Sequence, residues 1–98
     1  MGAAPLLTVR LSCVVPFCRS TRGPRAGDAP ITATSEWICG VHWRRVDRRT
    51  RARLFAARRL VAKAVRAGRA VEAAQRRAWR AWQRCRAEAI ETAMGIGA

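Results

Sequence analysis

Four side chains of this 98-residue chain have the types and spacing of a metal site. They are Cys13 and Cys18, separated by four residues, and Cys39 and His42, separated by two. Twenty residues lie between the two pairs, and His42 is the sole histidine of the chain. Zinc takes four sulfur or nitrogen donors in a tetrahedron, commonly as two short-spaced pairs on separate elements. A short gap lets one turn present both donors of a pair. The set Cys13, Cys18, Cys39 and His42 is therefore read as a structural Zn2+ site. A catalytic zinc keeps an open position with three protein ligands, whereas four donors close the shell. No carboxylate nearby has an evident acid–base task, and Glu36 reads as a solvated or loop-capping residue. With the one imidazole used as a ligand, none remains for general acid–base chemistry, and the chain is read as no enzyme.

Two other readings compete. In one, the cysteines are reduced and buried and His42 lies on a helix surface. In the other, Cys13 and Cys18 form a disulfide. The start "MGAAPLLTVRLSCVV" lacks the basic first segment and apolar middle of an export signal. Its sixth residue is Leu, where a myristoylation signal has Ser or Thr. The cell interior is the expected compartment, and cysteine clusters there hold metals more often than disulfides. Cys85 has no partner at metal-ligand spacing and reads as a small apolar residue of a helix.

The elements that must position these donors follow from local sequence. "CVVPFC" carries Pro16 inside a turn, which suits a tight knuckle between strands. "CGVH" puts Cys39 at a helix start and His42 one turn on, so both point to one side. A knuckle followed by a helix that supplies the second pair is a treble-clef arrangement. Residues 1–12 read as a strand or arm, since "LTVRLSCVV" alternates loosely in β-forming residues. Residues 13–46 form the zinc module, with "RSTRGPRAGDAPITATS" as its loop. Trp37 and Trp43 are expected to shield the metal in a small core with Phe17, Ile38 and Val41.

Residues 47–93 contain no proline and one glycine, Gly68, and are dominated by Ala and Arg. They read as helix, capped by Asp47 or Thr50. A continuous helix of that length would extend roughly 70 Å. A break at "RAGRA" would give a hairpin instead. Leu54, Ala57, Val61, Ala64, Gly68, Val71, Ala78, Trp82, Cys85 and Ala89 form a stripe at three- and four-residue steps. The stripe passes Gly68 in phase, which favours one helix or two with little offset. It needs a partner surface, a second copy or a fold-back onto the zinc module. Residues 94–98 read as a flexible tail. The fold class is thus a small α+β zinc module followed by a long, mainly α-helical region.

The net charge is +14, and residues 44–86 hold sixteen of the twenty basic residues but only two acids, Asp47 and Glu72. Such a density repels itself and attracts polyanions. Nucleic acid, DNA or RNA, is the expected partner. An acidic protein surface is the alternative, and a membrane is not expected. Contact should run mainly to phosphates through Arg44, Arg45, Arg48, Arg49, Arg51 and Arg53, with Arg58 and Arg59 behind, and with weak sequence preference. The rival function is an assembly module in which the zinc site anchors an Ala/Trp-striped helix within a homo-oligomer or larger complex.

"CVVPFCRSTRG" followed by "EWICGVHWRRV" resembles the small zinc-binding modules of bacteriophage and prophage proteins. Similar modules precede HNH-type homing endonuclease cores. The resemblance spans residues 13 to about 46. It maps the ligand positions onto Cys13, Cys18, Cys39 and His42, and includes Arg19 and the Trp43-Arg44-Arg45 run. It implies a zinc module in a phage-like context, hence a phage-infected or lysogenic bacterial cytoplasm, and not a nuclease; Arg19 is counted with the arginines expected at nucleic acid. Two departures stand out. Phe17 occupies the place of a glycine, and no HNH catalytic core follows.

Overall fold

The computed structural model describes residues 10–95. The expected N-terminal arm therefore lies largely outside the described residues, as do three residues of the expected tail.

The chain first reverses on itself. Strand β1 (Leu11–Ser12) pairs antiparallel with β2 (Thr21–Arg22), Leu11 opposite Arg22 and Ser12 opposite Thr21. The ladder continues toward the turn, where the Cys13 N–H donates to the Ser20 carbonyl at 3.0 Å. The turn closes with the Cys18 N–H on the Val15 carbonyl at 3.1 Å. Phe17 sits at the bend with φ 66°, in the left-handed region. That conformation is disfavoured for a side chain with a Cβ, which explains physically why a glycine is natural there.

After the loop, the chain returns beside the knuckle. Cys13 and Trp37 form a parallel bridge, and the Val14 N–H donates to the Trp37 carbonyl at 2.9 Å. This brings the "WIC" segment alongside the first cysteine. Helix α1 (Gly40–Trp43) is a single turn with Cys39 as its N-cap residue.

Helix α2 (Arg48–Ala67) follows, with the Asp47 carboxylate accepting the Arg49 N–H at 2.7 Å. This satisfies one of the orphan donors of the first turn. It ends at Gly68, φ 66°, where the Gly68 and Arg69 N–H groups return to the carbonyls of the last turn. Helix α3 (Val71–Ala93) starts immediately, with Ala70 also left-handed at φ 56°. Two left-handed residues within three positions reverse the chain, and α2 and α3 pack as a hairpin.

The region from 47 to 93 is therefore the hairpin, and not the single helix or little-offset pair that the phase of the stripe favoured. The apolar positions were readable, but their phase across Gly68 carried no information about the turn. In a hairpin, each helix needs an inward stripe whatever the phase between them. Leu54 and Ala57 of α2 and Cys85 and Ala89 of α3 are buried, with Val61, Ala64, Val71, Ala78 and Trp82 half-buried along the same seam. Fully burying a leucine such as Leu54 stabilises by about 1.5–3 kcal/mol.

One core joins both regions. Cys13, Val15, Ile38, Cys39 and Val46 from the module cluster with Leu54, Cys85 and Ala89 from the hairpin. The fold-back onto the module is thus the way this chain covers its stripe. No described helix is long and apolar enough to cross a membrane.

Candidate metal centre

The knuckle and the one-turn helix bring four donor atoms together. The sulfurs of Cys13, Cys18 and Cys39 and a ring nitrogen of His42 all lie within 4.8 Å of one another. Cys18 Sγ is 3.9 Å from Cys39 Sγ, and His42 Nδ1 is 3.7 Å from Cys13 Sγ and 3.1 Å from Cys39 Sγ. A tetrahedron with metal–sulfur bonds of about 2.3 Å has edges of roughly 3.8 Å. The cluster thus has the size and the donor set of a Cys3His site and can hold a metal ion. All four cysteines are free thiols, so no Cys13–Cys18 disulfide forms.

Backbone groups support the sulfurs. The Cys39 N–H donates to Cys13 Sγ at 3.3 Å. Burial pushes the Cys13 thiol up, while the backbone N–H groups of Cys39 and Val15 pull the other way. The backbone N–H of Ser20, then its side chain, lowers Cys18. Each knuckle cysteine therefore meets the N–H two residues ahead, Val15 for Cys13 and Ser20 for Cys18. Such donors favour the thiolate that a metal requires.

The surroundings correct part of the expected shield. Trp37 and Trp43 are half-buried against the core with Ile38, and Trp43 meets Phe55 edge-on at 5.9 Å. Phe17 is 95% exposed and Val41 is also exposed, so neither joins that small core. The left-handed turn at Phe17 points its ring outward, and Val41 sits on the solvent side of α1.

Glu36 is not a free loop residue. Its carboxylate accepts the Trp82 indole N–H at 2.8 Å and pairs with Arg86 at 2.9 Å. Glu88 works from the other side: it accepts the Asp47 N–H at 3.2 Å and the Thr50 hydroxyl at 2.5 Å, and pairs with Arg84 at 3.1 Å. These two carboxylates tie α3 to the module and to the start of α2. Sequence reasoning missed both, because their partners lie in segments distant along the chain. The i, i+4 spacing of Arg84 and Glu88 was the only local sign.

The arginines expected at phosphates are dispersed. Arg19, Arg44, Arg45, Arg48, Arg49, Arg53, Arg58 and Arg59 are exposed, while Arg51 is half-buried. The Arg44 Nε–H donates to the Gly40 carbonyl at 3.2 Å. Helical winding of 100° per residue sends Arg49 and Arg53 to one flank of α2, Arg51 and Arg58 to the other, and Arg48 and Arg59 to its back. Arg19 belongs to the knuckle strand region, away from α2 in sequence. Of the two tryptophans of α3, Trp82 is half-buried, whereas Trp79 is 59% exposed.

Comparison with family models, with curated proteins and with solved structures finds no match.

Proposed function

We propose that this chain is a non-enzymatic, zinc-stabilised nucleic-acid-binding protein. The observation that carries this reading is the imbalance of charge on a built scaffold. Only three of the twenty basic side chains have a carboxylate partner among the described residues. A polyanion relieves that repulsion and releases condensed counterions as it binds.

Zinc fits the donor set better than harder cations do, since three thiolates and an imidazole are soft-to-borderline ligands. The four donors close a tetrahedral shell, which supports a structural role. Its contribution is to lock the knuckle against α1 and so hold the shared core that the α2–α3 hairpin packs on. The knuckle-then-helix order supports a treble-clef-like module of the phage and prophage type, without a nuclease core.

The exposure of Trp79, Val65 and Val41 favours a second reading, an assembly module that docks on another protein. Against it, the Ala/Trp stripe is largely consumed between α2 and α3. A salt series decides. Nucleic-acid affinity is expected to fall steeply between low and moderate salt. Affinity that stays flat, or no retention of DNA or RNA at low salt, overturns the nucleic-acid reading. Elemental analysis of purified protein tests the metal, with one zinc per chain expected.

A further inference from the structure

The hairpin gathers arginines that are far apart in sequence into one groove. Its walls are Arg53 of α2 and Arg77, Arg80 and Arg84 of α3, over a floor that includes Ala57 and Leu60. The groove encloses about 480 Å³. Arg77, Arg80 and Arg84 follow one another at steps of three and four, so they share a flank of α3 and span roughly 10 Å along its axis. The acids lie beside the groove rather than in it. Asp47, Glu88 and Glu91 line the adjoining hollow, which shares Thr50, Arg53 and Arg84 with the groove, and Glu88 holds Arg84 through Nε, so Arg77 and Arg80 are its arginines farthest from a carboxylate. Glu36 and Glu72 line pockets beside Trp79 instead. No carboxylate lines the groove itself.

We infer that the α2–α3 groove seats the phosphodiester backbone of a nucleic-acid duplex, with Arg53, Arg77, Arg80 and Arg84 as its phosphate contacts. This rests on the nucleic-acid reading above and specifies its surface. Charge complementarity selects the occupant: the groove has guanidinium groups on both walls and an uncharged floor. A single strand is disfavoured by the same lining. Proteins that hold single strands stack bases on aromatic side chains, and no aromatic residue lines this groove. A duplex keeps its bases stacked and offers only phosphates. Guanidinium groups pair with phosphate oxygens through paired N–H donors. Three of these four arginines sit on α3, beyond the stretch from Arg44 to Arg59 that the sequence pointed to as phosphate contacts.

The test compares two charge-matched double variants of the full chain by fluorescence anisotropy with a short labelled DNA duplex across a salt series. Arg77→Ala with Arg80→Ala removes two of the three arginines of the α3 wall. Arg66→Ala with Arg76→Ala removes equal charge away from the groove. All four side chains are exposed, so the core is untouched, and thermal melting confirms equal folding. The groove pair is expected to weaken binding by at least about tenfold and to reduce the salt slope by about two, at roughly 0.9 per lost phosphate contact. The control pair should lose about threefold or less, through screened long-range charge alone. Arg53→Ala, on the opposite wall, should weaken binding and reduce the slope by about one. Equal losses from both pairs overturn the groove while leaving nucleic-acid binding intact. Tighter binding of a single strand that is lost in Trp79→Ala also overturns it. A wild-type protein that binds no duplex in a salt-dependent way overturns the broader reading as well.

Discussion

The Glu36 carboxylate accepts the Trp82 indole N–H at 2.8 Å, joining the segment just before Cys39 to the middle of α3. The same carboxylate holds Arg86 one turn further along. A charged acceptor of this kind contributes about 1.5–3 kcal/mol where it is partly shielded, less where water reaches it. Glu36→Ala is therefore expected to lower stability by about 1–2 kcal/mol, a fall of roughly 4–15 °C in a domain of this size. Trp82 fluorescence should shift to the red as the indole meets water. Thermal melting checks the first effect. An unchanged melting temperature would show that the tether is too wet to matter.

Metal removal should reach beyond the module. Cys13 and Cys39 belong to the same buried cluster as Leu54 and Cys85, so loosening the ligands exposes one side of the hairpin seam. The module has only two two-residue strands and a one-turn helix to hold it otherwise. A strong chelator should lower stability by several kcal/mol, since structural zinc contributes on the order of 10–16 kcal/mol in finger peptides. Far-ultraviolet circular dichroism should keep much of the α2–α3 signal while the melting transition broadens and falls. Added zinc should restore it, and Cys39→Ser should abolish that recovery. A chelated protein that melts as before would sink the structural role of the metal.

Phe17 makes an opposite kind of prediction. Its φ of 66° is disfavoured for any residue with a Cβ by about 1–2 kcal/mol, and its ring is almost wholly in solvent. Phe17→Gly removes the penalty without losing packing, offset in part by the added freedom of glycine in the unfolded chain. The net gain should be about 0.5–1 kcal/mol, or two- to fivefold in zinc affinity. Phe17→Ala keeps the Cβ and should give no such gain. Competition with a chromophoric chelator measures both.

Gly68 at the hairpin turn should behave in the reverse sense. It is left-handed at φ 66°, and an added Cβ there meets nothing within 4 Å. Gly68→Ala should therefore lower stability through backbone strain alone, by about 1 kcal/mol. Urea denaturation would register this as an earlier midpoint with an unchanged slope.

The parts that were legible in the sequence are those written locally. Each ligand pair is fixed by a short gap, so the knuckle at Cys13 and Cys18 and the turn from Cys39 to His42 could be read from spacing. The inward positions Leu54, Ala57, Cys85 and Ala89 followed from helical periodicity. The hairpin was less legible, because its reversal uses a left-handed alanine, Ala70, that gives no compositional sign. The fold-back of α3 was one of three ways to cover the stripe, and the choice among them was illegible for a different reason. The fold-back is secured by Glu36 and Glu88, whose partners lie some forty to fifty residues away along the chain. The four-arginine groove depends on that fold-back, so no linear pattern could group Arg53 with Arg77, Arg80 and Arg84.

Cys85 gives the chain a distinct alkaline signature. Its side chain is wholly buried, and its sulfur donates toward the Thr50 carbonyl at 3.7 Å. Burial, and then the nearby Glu88 charge, pushes its thiol above the ordinary value of 9.0. In the native state the proton stays on. In the unfolded chain the thiol ionises once pH passes the ordinary value, so the unfolded state binds fewer protons. Stability from this group is therefore full below that value and declines as pH rises through it, by up to about 1.4 kcal/mol per pH unit until the native thiol also ionises. The comparison is made against Cys85→Ala in saturating zinc, so that the metal-site cysteines are held alike in both proteins. The variant loses some packing at every pH, but that loss is constant. The difference in stability between the two proteins should shrink as pH rises above 9, as measured by urea denaturation at several pH values. Iodoacetamide should leave Cys85 unmodified while the protein is folded. A constant difference across that range would mean that the buried thiol ionises as readily in the native protein as in the unfolded chain.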